Sequence, residues 1–307
     1  MRVASQVPVG FAFWAGFLGL LSVEAEKMGV APALLAFAAL VIVPLAIDLF
    51  SGDGEGGLPG KIMEWVRLLM LVPAGGLAGA LLLPPGLVAA LAAVPWFLFT
   101  AALAWVAVLR LRRDGWRRPF DGMCADSAMI YAAIGGAWVV ADRAGWRPLN
   151  FAPEIVTLTA VHFHYAGIVL PLIAGRVQRE LFFVRFASVV AVGVVLGVPA
   201  VALGITATQL GWGLALEKAA GGWLALSGMA VGVLHVRLAI DGRRVAMPTR
   251  ALLMIAGVSL FLGMVLAGTY ALRATAWLDI PRMRAIHGSL NAFGFAACGL
   301  IAWRRTR

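Results

Sequence analysis

Ten long apolar runs, each close to 20 residues, succeed one another along this chain with only short charged or turn-rich breaks between them. Crossing the hydrocarbon core of a bilayer takes about 20 mostly apolar residues in a helix. The runs cover 7–24, 30–50, 62–83, 86–109, 125–141, 153–174, 183–206, 219–240, 249–271 and 284–303. Backbone groups in lipid must be satisfied within the segment, so uninterrupted runs of this length predict helices and exclude open strands. The expected fold is an all-α polytopic transmembrane bundle of about ten helices, one membrane domain over residues 1–307. Composition agrees: 62% of residues are hydrophobic and 13% charged, against about 25% charged in a soluble domain.

The breaks carry turn chemistry, as in Ser51-Gly52-Asp53-Gly54, Pro84-Pro85, Asp241-Gly242 and Asp279-Ile280-Pro281. They also carry the cations. One set of alternate loops holds Lys27, Arg143, Arg147, Lys218, Arg273, Arg282 and Arg284, and the other set holds the rest of the 25. By the positive-inside rule the richer side is cytoplasmic, which puts both termini there. The location expected is the bacterial cytoplasmic (inner) membrane, with the lipid bilayer as partner. Topology accounts for the formal charge of +10, so no nucleic acid partner is expected. Arg2 followed by Val7–Leu21 and Val23-Glu24-Ala25 has features of a signal peptide, but the many later runs favour a first membrane helix. Cys124 and Cys298 are isolated and form no disulfide framework.

Ionisable groups inside lipid are costly, so each one within a span is a candidate for function. The sixth run contains Thr159-Ala160-Val161-His162-Phe163-His164-Tyr165-Ala166-Gly167, with Glu154 at its start and Pro171 one turn beyond. In an α-helix residues two apart lie about 200° apart around the axis. His162 and His164 therefore point to opposite sides and cannot share one metal unless the helix breaks. The tenth run contains His287, Asn291, Gly294 and Cys298, spaced as one stripe, with Arg284 one turn earlier. Both runs enter from the outer side, where Glu24 closes the first. An outer-half site built from His162 or His164, His287, Asn291 and Glu24 is geometrically permitted, with Tyr165, Glu154 and Arg284 as further polar candidates. The competing reading is that each imidazole simply ties two helices together. His235, beside Arg237, reads as interfacial, Asp48 as solvated, Glu64 and Arg67 as a surface pair, and Arg110–Arg118 as a cytoplasmic anchor; Asp126, Tyr131 and Asp142 stay open.

Two resemblances enter on these residues. The block from Gly135-Gly136-Ala137-Trp138 through Arg147-Pro148-Leu149 to the His162 motif, together with Ile286-His287-Gly288-Ser289-Leu290-Asn291-Ala292-Phe293-Gly294, resembles the YndJ-like membrane proteins. That likeness covers most of the chain and implies a multi-span bacterial membrane protein. His162-Phe163-His164-Tyr165 is also similar to the His-Phe-His-Tyr segment of haem–copper oxidase main subunits, where the two histidines serve different haems. Two haems and a copper need about six histidines, and this chain has 4, so an oxidase is not expected. The leading expectation is an intramembrane histidine site for haem or a transition metal, serving redox chemistry or sensing. The alternatives are a transporter or permease with a polar outer-half site, and an enzyme acting on a membrane lipid.

Overall fold

The computed structural model describes residues 3–23, 29–50, 55–115, 119–181, 185–242 and 245–306. Among them every element is helical. We number eleven helices: α1 (Val3–Val23), α2 (Val30–Phe50), α3 (Gly57–Leu69), α4 (Leu71–Leu82), α5 (Leu87–Asp114), α6 (Phe120–Arg143), α7 (Pro153–Glu180), α8 (Arg185–Gln209), α9 (Ala215–Asp241), α10 (Met247–Ala271) and α11 (Ile280–Arg305). Eight of these, α2 and α5 to α11, are long and apolar enough to cross a membrane, so this is an all-α polytopic membrane protein.

The expected count of ten is met only in part. The run at 62–83 is not one helix: α3 and α4 meet at Met70 with a bend of 51°, and they make a ninth crossing only if counted together. Pro73 explains the break, because it has no N–H for the carbonyl of Leu69 one turn back. α1 is a helix of 21 residues, and Gln6–Leu20 is the apolar stretch of it whose side chains are described. The fifth run, which looked the shortest, belongs to a helix of 24 residues, because polar Asp121 and Asp142 lie inside its turns rather than outside. The last helix starts at Ile280 rather than 284: the Asp279 carboxylate accepts the Arg282 N–H at 2.9 Å and caps it.

The chain forms two compact units, Met1–Ile168 and Val169–Arg307, with the division inside α7. In the first, α2 is the most enclosed helix, with 83% of its most apolar stretch buried. Three devices hold it. Gly10 of α1 lies against the Leu40 carbonyl, where a π-turn at Ala38–Ile42 widens α2. Trp14 Nε1 donates to the Ala33 carbonyl at 3.1 Å, and the Tyr165 hydroxyl donates to the Leu34 carbonyl at 2.8 Å. The buried charges of this unit are paired near the helix ends. Arg110 donates to Glu55 (2.6 and 2.5 Å), to Asp126 (3.0 Å) and to the Phe50 carbonyl (3.0 Å). Arg143 donates to Asp142 at 2.8 Å, and Thr157 donates to the other Asp142 oxygen at 2.5 Å. A buried guanidinium is tolerable only with its donors used in this way.

The second unit is built on close approach of small residues, which is how helices adhere where lipid offers no hydrophobic drive. α9 and α10 cross at Gly232 and Gly257: a Cβ on either would come within 2.8 Å of the other's carbonyl oxygen. α8 meets α9 at Gly193, whose carbonyl accepts from Trp223 Nε1 at 2.9 Å.

Candidate functional site

The His motif of α7 falls on a π-turn, Phe163–Gly167, that interrupts the α-helix after His162. The α-helical angle of 200° therefore does not carry through this segment. Pro171 lacks the N–H that Gly167 would need, and a π-turn is a common way to absorb such a gap. His164 Nδ1 donates to the Ala160 carbonyl, one turn back, at 2.7 Å. The other nitrogen, Nε2, accepts from Trp96 Nε1 at 2.9 Å. An indole N–H only donates, so the tautomer is settled: Nε2 is bare and Nδ1 carries the proton. His164 is 0% exposed, and its ring stacks on Trp96 with centroids 5.8 Å apart. Both nitrogens are engaged, so His164 ties α5 to α7 and offers no lone pair to a metal in this arrangement.

The neighbours of His164 serve other ends. His162 is half-buried, with Phe163 edge-on at 6.3 Å. Tyr165 holds α2 as described. Thr157 completes the Asp142–Arg143 pair. Glu154 is exposed in the first turn of α7, where the helix dipole favours an anion. Glu24 lies outside the described residues.

In the second unit the polar stripe of α11 faces α10, and α11 is wound as π-helix over Met283–His287 and again over Leu290–Ala297. His287 Nδ1 donates to the Gly263 carbonyl at 2.8 Å. Asn291 Nδ2 donates to the His287 carbonyl at 2.8 Å. Its 3.3 Å approach to His287 Nδ1 is a contact rather than a second bond, because Nδ1 already carries the proton. Gly263 must be glycine here, since a Cβ would lie 2.7 Å from the Asn291 amide. Further along the seam Ser259 fills the notch of Gly294. His287 is half-buried, and its Nε2 has no hydrogen-bond partner among the described residues. Arg284 is half-buried within the same π segment.

His235 is where sequence reasoning went wrong. It is 0% exposed, not interfacial, and its Nε2 accepts from Trp303 Nε1 at 2.9 Å with the rings 5.8 Å apart and nearly parallel. This repeats the Trp96–His164 bond inside the second unit. The partners are 68 residues apart, so no local spacing announces them. α9 is regular around His235, and His235 Nδ1 has no acceptor among the described residues.

Among the described residues no group of three or more His, Cys, Asp or Glu side chains could hold a metal ion. What the arrangement offers instead is one imidazole, His287, with its tautomer locked and its basic nitrogen open.

Comparison with known proteins gives two findings. The family described as YndJ-like protein matches residues 33–295. A Bacillus subtilis (strain 168) protein, described as an uncharacterized membrane protein YndJ, is 29% identical over 292 residues, covering 94% of this chain and 51% of that protein. The chain thus spans about half the length of the curated relative it matches. No solved structure matches.

Proposed function

This chain belongs to the YndJ-like family of membrane proteins, and from that premise we propose that it is a proton-coupled permease of the bacterial cytoplasmic membrane, with His287 as its proton acceptor. The observation that carries this reading is the state of that imidazole: Nδ1–H is committed to the Gly263 carbonyl at 2.8 Å, which leaves the Nε2 lone pair as the basic atom. Intramembrane His groups serve as proton relays. Nε2 takes up a proton while Nδ1–H stays on Gly263, so the charge appears without loss of the anchoring bond. The polar seam supports the same reading, because Asn291 and Ser259 continue the line of polar groups along α10 and α11. The π winding supports it too, since such segments recur at functional sites. The bias of cations toward one set of loops supports cytoplasmic termini, and hence an outward position for His287.

The haem reading has less support. The twin-haem use of His162 and His164 needs both rings available, and His164 has both nitrogens occupied.

The test is transport in proteoliposomes holding a pH gradient, with a panel of small organic acids, amines and sugars. The expectation is that at least one solute dissipates the gradient in wild type, and that His287→Gln abolishes this while circular dichroism is unchanged. Gradient stability toward every solute, or a His287→Gln protein that transports like wild type, overturns the proposal. So does a Soret band or stoichiometric metal in the purified protein that disappears in His287→Ala, which would instead assign redox chemistry.

A further inference from the structure

The seam between α9 and α10 opens outward into a groove of about 270 Å³, lined by Gly232, Val233, Val236, Val258, Phe261 and Leu262. Its shape follows from the glycine crossing. Gly232 and Gly257 bring the two backbones together, and the branched and aromatic side chains around that point form the walls over a shallow floor. The walls face away from the protein: Val233 is 54% and Leu262 48% exposed. Both helices are membrane spans by length and composition, so the groove opens on hydrocarbon. An acyl chain is the occupant its lining fits.

The foot of the same seam is basic. Arg250 of α10 reaches across to α9, donating from Nε to the Ala239 carbonyl at 2.8 Å and from Nη2 to the Ile240 carbonyl at 3.2 Å. These bonds neutralise the carbonyl end of the α9 dipole and hold the guanidinium in one place. Among the described residues one further contact is made, from Nη1 to Met247 Sδ at 3.8 Å. A guanidinium has five N–H donors, so two remain for an anion. Arg237, on α9, is exposed and pairs with exposed Asp241 at 3.3 Å, an arrangement worth little by itself. Two arginines against one aspartate leave this end of the seam positive. Eight residues separate Arg250 from Val258, about 12 Å along the helix, which is the vertical offset between a phosphate and the chain beneath it.

We propose that the α9–α10 seam is a binding site for one anionic phospholipid, its acyl chain in the Gly232–Leu262 groove and its phosphate held between Arg250 and Arg237. This site rests on observations separate from those behind the permease reading, and either can fail alone.

The experiment is native mass spectrometry of the full chain released from detergent, titrated with phosphatidylglycerol or phosphatidylcholine of matched chains. Wild type is expected to retain a single phosphatidylglycerol well above the phosphatidylcholine level. Each arginine near a lipid surface contributes about 1 kcal/mol, so Arg237→Gln should weaken that retention about fivefold. Arg250→Gln should weaken it at least as much, but it also uncaps α9. Val258→Trp therefore serves as the second variant: it fills the groove without touching charge, and should abolish tight retention while thermal unfolding stays near wild type. Equal retention of the two lipids by wild type overturns the site. Unchanged phosphatidylglycerol binding in either Arg237→Gln or Val258→Trp overturns it as well.

Discussion

A double-mutant cycle on Trp96 and His164 tests the claim that the α7 motif is a helix tie. Trp96→Phe removes the indole N–H and leaves Nε2 of a fully buried imidazole without a donor. An orphaned buried acceptor costs about 1–3 kcal/mol, and the smaller ring adds a packing loss of similar order. The single-mutant effect therefore cannot isolate the bond. The coupling term can, because the packing loss of Trp96→Phe recurs in the His164→Leu background and cancels. Hydrogen bonds between membrane helices average about 0.6 kcal/mol, with an upper value near 1.7. The 2.9 Å contact is fully buried and settles a tautomer, so the coupling should lie toward the upper end, about 1–1.7 kcal/mol. The assay is reversible unfolding in bicelles, read by steric trapping or by denaturant titration. A coupling indistinguishable from zero would refute the reasoning. A change in the visible spectrum of Trp96→Phe would refute it differently, by showing that His164 holds something other than tryptophan.

The second Trp–His pair should behave otherwise. Replacing both His235 and Trp303 by apolar residues, as His235→Leu with Trp303→Phe, removes the donor on Nδ1 that has no acceptor among the described residues, and should cost under about 1 kcal/mol or stabilise; a loss of several kcal/mol in the same unfolding assay would show that this nitrogen is satisfied after all. Asp126→Ala strips one carboxylate from buried Arg110 while Glu55 keeps the guanidinium paired, and should destabilise by about 1–3 kcal/mol; equal stability of variant and wild type by denaturant titration would contradict the pairing. Pro73→Ala returns an N–H to the Leu69 carbonyl and should straighten the α3–α4 junction, measurable as a longer distance between spin labels at residues 61 and 80.

Much of the fold could be read from the sequence because the bilayer imposes one rule, and apolar run length satisfies or fails it. Every expected run has a helix in its place. What could not be read was where a run breaks. Pro8, Pro44, Pro73, Pro95, Pro171 and Pro199 all lie inside or near helices, yet only at Pro73 do two helices part. A tertiary contact marks this bend: Gln6 Nε2 reaches from α1 to the Arg67 carbonyl, just before it, at 3.0 Å. The site residues divide in the same way. The His287–Asn291 stripe follows from helical spacing alone. His164 and His235 could not be ranked against each other, because each one's role is decided by a tryptophan 68 residues away.

The enclosure of α2 has a consequence for how the protein is made. An apolar segment leaving the translocon is as comfortable among acyl chains as among other helices, so its solvation gives it no reason to move inward. The pull must come from specific clasps, and the one from Tyr165 is synthesised 131 residues after Leu34. By then α3 to α6 are already made, and Arg110 of α5 can already hold the Phe50 end of α2, so the Tyr165 hydroxyl is the last of these clasps to arrive. The last clasp to be translated closes the first unit, and a Tyr165→Phe chain should reach the membrane normally yet mature slowly, as delayed protease resistance in a pulse-chase experiment.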